Sequence, residues 1–134
     1  MAIYQQCSLV QKKENKKVLN QFDKEFWSML DELFLEYKLE IDRPKGSIHP
    51  KYNNYIYPLD YGFLRGTVSS DGAGIDVWVG TSEVYKPVAI ISSVDIIKGD
   101  SEIKILYACT ESEIDLIYKE HNRTDGMKGL LSIR

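Results

Sequence analysis

Between Tyr57 and Asp76 the chain reads YPLDYGFLRGTVSSDGAGID, a run dense in groups that hold phosphate and magnesium. Tyr57 and Tyr61 bring phenolic hydroxyls, Arg65 a guanidinium, and Asp60, Asp71 and Asp76 carboxylates. Magnesium takes oxygen ligands, commonly one or two carboxylates completed by water and phosphate oxygens. Lys, Arg and Tyr side chains hydrogen-bond the phosphate oxygens that remain. Glycines and a proline punctuate the run, so its backbone is steered between short strands and not wound into a helix.

These groups need strands to position them. In Ile75-Asp76-Val77-Trp78-Val79 the alternation puts Ile75, Val77 and Val79 on a core face and Asp76 and Trp78 on the other. Glu102-Ile103-Lys104-Ile105 likewise sets the core pair Ile103 and Ile105 opposite the charged pair Glu102 and Lys104. If the two non-core faces converge, they form a cleft with carboxylates, a lysine and tyrosine hydroxyls. Structural alternatives stand beside this reading. Asp71 before a glycine suits turn chemistry alone, Glu102 and Lys104 suit a solvated strand face, and Tyr57 and Tyr61 suit rim aromatics. Asp76 resists such a reading, because Asp is depleted within strands. His49 reads as loop surface and His121 as helix packing.

Around the polar stretch, residues 1–20 read as a flexible polar arm carrying Lys12, Lys13, Lys16 and Lys17. From Gln21 to Lys38 an amphipathic helix is predicted on a stripe of Phe22, Phe26, Leu30, Leu33, Phe34 and Tyr37. Leu39–Asp42 alternates as a short strand, and the loop SIHPKYNNYIYP is expected to be irregular and exposed. Further strands are placed near Gly62–Thr67, Ile75–Val79, Pro87–Val94 and Glu102–Tyr107. Thr110 and Glu113 form a capping box that opens a second helix with an inner stripe of Ile114, Ile117, Tyr118 and His121. Met127–Arg134 offers a last strand. Short strands between Gly and Pro turns argue for a mainly-β fold, a small barrel or sandwich with flanking helices, in one domain over residues 21–134.

Composition narrows the function classes. With 17 basic and 20 acidic residues the net charge is −3, which argues against a nucleic-acid partner. No apolar run is long enough to span a membrane. Cys7 and Cys109 match no metal or redox spacing, so a reduced, cytoplasmic chain is expected.

Residues 41–80, IDRPKGSIHPKYNNYIYPLDYGFLRGTVSSDGAGIDVWVG, resemble the soluble family I inorganic pyrophosphatases. That family shows an acid before a Pro-x-Gly-Ser turn, then Lys-Tyr-Glu, then Tyr-Pro-x-x-Tyr-Gly. Asp-Gly-Asp-Pro-x-Asp follows ahead of an apolar strand, and an Asp-x-Lys strand closes the series. The resemblance covers roughly residues 39–107. It implies a five-stranded OB-like barrel between helices, and Mg2+-dependent hydrolysis of pyrophosphate to two phosphates by a metal-activated water. Self-association is common in the family, and the aromatic first helix offers a surface for it.

Carried over position by position, Asp42, Asp71, Asp76, Glu102 and Asp100 are the implied metal ligands. Lys51, Tyr57, Tyr61 and Lys104 are the implied binders of pyrophosphate or phosphate, and Asp71, Asp76 and Tyr57 are the implied catalytic residues. The sequence also departs from the pattern. Ala73 stands at the central Asp of the Asp-Gly-Asp-Pro-x-Asp motif, and Asn53 replaces the Glu of Lys-Tyr-Glu. The stretch from Lys51 to Tyr57 is too short for the hairpin that brings an arginine to the phosphates. Tyr118-Lys119 has the letters of the late Tyr-Lys pair but lies on a predicted helix. The alternative is therefore an impaired domain that binds a phosphorylated ligand or acts on another phosphoanhydride.

Overall fold

A computed structural model of the chain describes residues 22–134; the polar arm expected over 1–20 lies outside the described residues. Helix α1 covers residues 22–36 and is followed by strands β1 (Leu39–Arg43), β2 (Asp60–Leu64), β3 (Ile75–Val79), β4 (Pro87–Asp95) and β5 (Asp100–Tyr107). Helix α2 (Glu111–Glu120) and strand β6 (Met127–Ile133) complete the chain.

The strands form one sheet in the order β1-β2-β3-β5-β4-β6. The mainly-β expectation with two flanking helices is borne out. Among the described residues the sheet has six strands and stays open, so a closed five-stranded barrel describes it only loosely. β3 and β5 run parallel, with Val77 opposite Ile105 and Trp78 opposite Leu106; the other pairings are antiparallel. β2 ends at Leu64, short of the Thr67 expected from sequence, because the chain turns at Gly66, whose φ is +89°. Thr67 Oγ1 then bonds back to the Leu64 carbonyl at 2.7 Å. Gly62 is fixed by close approach: a Cβ there would collide with the Glu40 carbonyl of β1.

Both sheet faces are buried at the centre, and this overturns the one-sided reading of β3. Val77 is fully buried under α1, while Trp78 retains only 2% exposure on the opposite face. Beneath α1, Leu64, Val77, Ile90 and Ile105 pack with Trp27 and Leu30. On the other face Trp78, Ala89, Ile91 and Leu106 pack with Tyr57, Leu59, Cys109 and Ile117. Ile103, expected in the core, is 50% exposed, since β3 pairs with β5 only from Ile105 onward.

The α1 stripe agrees with expectation at Leu30, Leu33, Phe34 and Tyr37 and differs at its start. Trp27, Leu30, Leu33, Phe34 and Tyr37 face the sheet, while Phe22 and Phe26 are 55% and 40% exposed. The two registers overlap in sequence. The observed one buries the indole of Trp27, the larger ring, and leaves Phe26 edge-on against it at 5.4 Å.

α2 begins at the expected capping box, with Thr110 Oγ1 accepting from the Glu113 N–H at 3.2 Å and Glu113 Oε1 accepting from the Thr110 N–H at 2.8 Å. Glu113 also accepts from the Thr81 N–H and hydroxyl, both at 3.0 Å, which pins α2 to the loop after β3. Ile117 and His121 face inward as expected, but Tyr118 points outward beside Lys119, which pairs with Asp115 at 2.7 Å. The Tyr118-Lys119 pair therefore sits on the outer side of its helix.

The loop expected to be irregular and exposed is largely so, with Ile48, Tyr52 and Ile56 52–60% exposed, but it is closed on itself and tied to the sheet. Gly46 N–H donates to the Tyr57 carbonyl, Tyr57 N–H to the Ser47 carbonyl and His49 N–H to the Tyr55 carbonyl, at 2.9–3.0 Å. Lys45 N–H donates to Asp60 Oδ1 at 2.7 Å. Thus anchored, the loop drops Tyr57 and Leu59 into the core.

Candidate active site

Alternation and register together decide which side chains meet. Tyr61 pairs with Trp78 across β2 and β3, and parallel pairing sets the Asp76 end of β3 beside the Lys104 end of β5. Tyr61, Asp76, Trp78, Glu102 and Lys104 consequently share the face opposite α1.

Lys104 Nζ donates to Asp76 Oδ2, Glu102 Oε2 and the Tyr61 hydroxyl, each at 2.9 Å. An ammonium has three donors, so its capacity is spent within the protein. The side chains of Lys104, Asp76 and Glu102 are 13%, 25% and 15% exposed, far from a solvated strand face. Burial alone would lower the Lys104 pKa, but the Tyr61 oxygen and the Asp76 carboxylate outweigh it and raise it well above the usual lysine range. Burial is the main cause that pushes the Tyr61 phenol up, aided by Asp76 and opposed by Lys104, so Tyr61 keeps its proton. Two carboxylates against one ammonium leave the cluster with one formal negative charge. Tyr57 stands beside it, its ring centroid 5.5 Å from that of Tyr61.

The other expected site residues are spread more widely. Asp71 lies in the exposed 69–74 turn, where Oδ1 accepts from the Ser69 hydroxyl at 2.6 Å and the Ala73 N–H at 2.9 Å. Those bonds, the Ser69 hydroxyl first, hold its carboxyl below the usual aspartate range. Ser70 Oγ ties the turn to β5 through the Ser101 carbonyl at 3.0 Å, and the Asp71 and Glu102 carboxyls interact there. Asp42 is exposed on the edge strand β1, 3.7 Å from Arg43. Lys51 is exposed in the 44–59 loop, and Asp100 faces Asp95 at the far end of the β4–β5 hairpin. Among the described residues no group of three or more His, Cys, Asp or Glu is arranged to hold a metal alone. Asp76 and Glu102, with Asp71 beside Glu102, still fit a magnesium that keeps its waters and is shared with phosphate, which asks for only one or two carboxylates.

Sequence reasoning missed a cleft of about 520 Å³ that opens beside this cluster, lined by Tyr57, Tyr61, Trp78 and Lys104 together with His49, Tyr52, Tyr55, His121 and Arg123. His121 is 4% exposed, and its Nε2 accepts from the Trp78 indole N–H at 3.0 Å. Burial, then the charge of Lys104, lowers its pKa to about 4. The capping box did place His121 on the inner stripe of α2, but nothing in the spacing showed that this stripe borders a cleft.

The family model described as inorganic pyrophosphatase matches residues 33–126, more than half of the chain. The chain belongs to the inorganic pyrophosphatase family. Against the inorganic pyrophosphatase of Picrophilus torridus it is 37% identical over 79 residues, 53% of this chain and 42% of that protein. Against that of Leifsonia xyli it is 30% identical over 77 residues, 49% and 47% of the two chains. The chain thus spans less than half the length of these curated relatives. Among solved structures, an inorganic pyrophosphatase from Neisseria gonorrhoeae superposes with a TM-score of 0.46 at 18% identity, covering 71% of this chain and 79% of that one. An inorganic phosphatase from Anaplasma phagocytophilum gives 0.47 at 16%, covering 71% and 81%.

Proposed function

We propose that this chain hydrolyses inorganic pyrophosphate to two phosphates in a Mg2+-dependent reaction. The observation that carries the reading is the meeting of Asp76, Glu102 and Tyr61 on Lys104, in a chain that the pyrophosphatase family model matches. Asp76 and Glu102, assisted by Asp71, would hold the ion, with Asp42 and Asp100 as outer acids of the same set. The ion, when bound, supplies Lewis acidity and a water of lowered pKa. Lys104 keeps the two carboxylates together and offsets their repulsion. Tyr61, which receives a bond from Lys104, keeps its own proton against Asp76 and helps to fix that carboxylate. Tyr57 stands against Tyr61 and orients the phosphates, and Lys51 adds charge from the loop. A single pyrophosphatase-like unit over 21–134, a cytoplasmic setting and self-association belong to the same reading. The last is supported by Phe22, Phe26 and Met29, all exposed on α1.

The test is phosphate release from pyrophosphate with and without Mg2+. Magnesium-dependent release is expected, and release no greater than that of an Asp76→Ala control would sink the hydrolytic reading.

A second reading is favoured by a specific observation: Lys104 has no donor left for a phosphate, and Ala73 offers no carboxylate beside Asp71. On it the domain binds a phosphorylated ligand with little turnover. Ala73→Asp separates the two readings. If an acid missing from the 69–74 turn is the defect, pyrophosphate hydrolysis rises in that variant by an order of magnitude or more.

A further inference from the structure

The cleft beside the site is larger and more aromatic than pyrophosphate requires. Its volume of about 520 Å³ lies within the range of pockets that enclose an organic ligand, and such pockets carry apolar walls with a few polar anchors. Here the walls are rings. Tyr55 and Tyr57 meet edge to face at 5.1 Å, His49 lies parallel to Tyr57 at 6.0 Å and 10°, and Tyr61 meets Trp78 at 4.6 Å. Pyrophosphate has no apolar surface for these rings to cover. A planar heterocycle does, and aromatic side chains hold nucleobases by stacking.

The polar anchors point the same way. Lys98 and Arg123 line the opening, and the Arg123 guanidinium lies 5.8 Å over the Tyr55 ring, braced by Glu120 at 3.4 Å. Arg43, Lys98 and Lys51 also bear on His49: burial first, then these three charges, holds its imidazole below the usual histidine range. Asp95 and Glu120 line the cleft as well, so Lys98 and Arg123 each have an acid in the same lining, and Lys51 and Arg43 add positive charge from the His49 side. Deeper in, the Trp78 N–H occupies His121 Nε2, so the neutral ring carries its proton on Nδ1. That Nδ1 is buried and has no partner among the described residues. A buried donor left unmet is costly, and a ligand acceptor would satisfy it.

We propose that this cleft binds a nucleoside phosphate, with its base against the tyrosine-lined walls and its phosphates toward Lys98 and Lys51. The proposal rests on the reading of Tyr57 and Tyr61 as facing phosphate, and it adds the class of molecule that carries the phosphate. It is tested by calorimetry on the full chain in Mg2+, comparing adenosine, guanosine and uridine diphosphates with ribose 5-phosphate and inorganic pyrophosphate. At least one nucleoside diphosphate is expected to bind about tenfold more tightly than ribose 5-phosphate or pyrophosphate, as stacking of one base allows. Tyr52 is the exposed ring at the rim (52%), so Tyr52→Ala is expected to keep the fold and to lower that affinity about tenfold, while Tyr52→Trp retains it. Nucleoside diphosphates that bind no better than pyrophosphate overturn the proposal, whether or not pyrophosphate is hydrolysed. Base-dependent binding without pyrophosphate hydrolysis upholds it and removes the hydrolytic reading instead.

Discussion

The two faces of the sheet are built from the same strands and do different work. Under α1 the face is aliphatic: Leu64, Val77, Ile90 and Ile105 are closed over by Trp27 and Leu30. The opposite face begins in the same way, with Ile91 and Leu106, then gives way to Trp78, His121 and the Lys104 cluster. Apolar packing is non-directional and tolerates rearrangement, whereas a buried ion cluster demands particular partners at particular distances. Stability on the first face should therefore be separable from function, and on the second it should not.

The largest expected effect comes from breaking the second face at its centre. Lys104→Met leaves Asp76 and Glu102 facing each other at low exposure without a counter-charge, and should cost on the order of 4 kcal/mol in urea unfolding. Magnesium-dependent phosphate release should fall with it, even when corrected for the folded fraction. The matching cut in the first face is Leu64→Ala, which empties a fully buried site and should cost about 3 kcal/mol. Phosphate release per folded molecule should be unaffected, and a parallel loss would show that the faces are coupled.

A smaller effect follows from pH. His121 is held neutral, with its pKa lowered to about 4 from 6.5. The unfolded chain therefore binds a proton that the folded chain refuses between those values, so this contribution is full above pH 6.5 and is lost as pH falls toward 4. At pH 5 the loss should be about 2 kcal/mol, read from midpoints of denaturant unfolding. His121→Gln should flatten the profile across that window. An unchanged profile would place the titrating group elsewhere.

The first face was the easier to read in the sequence, since alternation in β3 and helical spacing in α1 report apolar burial directly. Even there the start of the stripe was misplaced, although Leu30, Leu33, Phe34 and Tyr37 pack as expected, because Phe26 and Trp27 each continue a helical register and only packing selects the larger ring. The second face was legible in its chemistry but not in its burial. Asp76, Glu102 and Lys104 were singled out by alternation, yet that alternation put Trp78 on a polar surface when it lies in a second core. Two-sided burial in mid-sheet cannot be told from a polar face when the inward residue shares that face with a charge, as Trp78 does with Asp76. The wider acid set carried by the family resemblance is dispersed for a related reason. Asp42 and Asp100 lie at the sheet's edge and at a hairpin end, and Asp71 lies in a turn that uses one of its oxygens. Sequence order fixes none of those distances.

The parallel seam between β3 and β5 has a consequence in time. The β4–β5 hairpin closes through neighbouring residues, as does the β2–β3 pair, whereas the seam joins segments separated by the whole of β4. Contacts of long sequence separation carry the loop-closure entropy and are late to form. Asp76 comes from one side of that seam, and Glu102 and Lys104 from the other. The polar cluster is therefore complete in neither half, and it arises only when that long-range pairing is made.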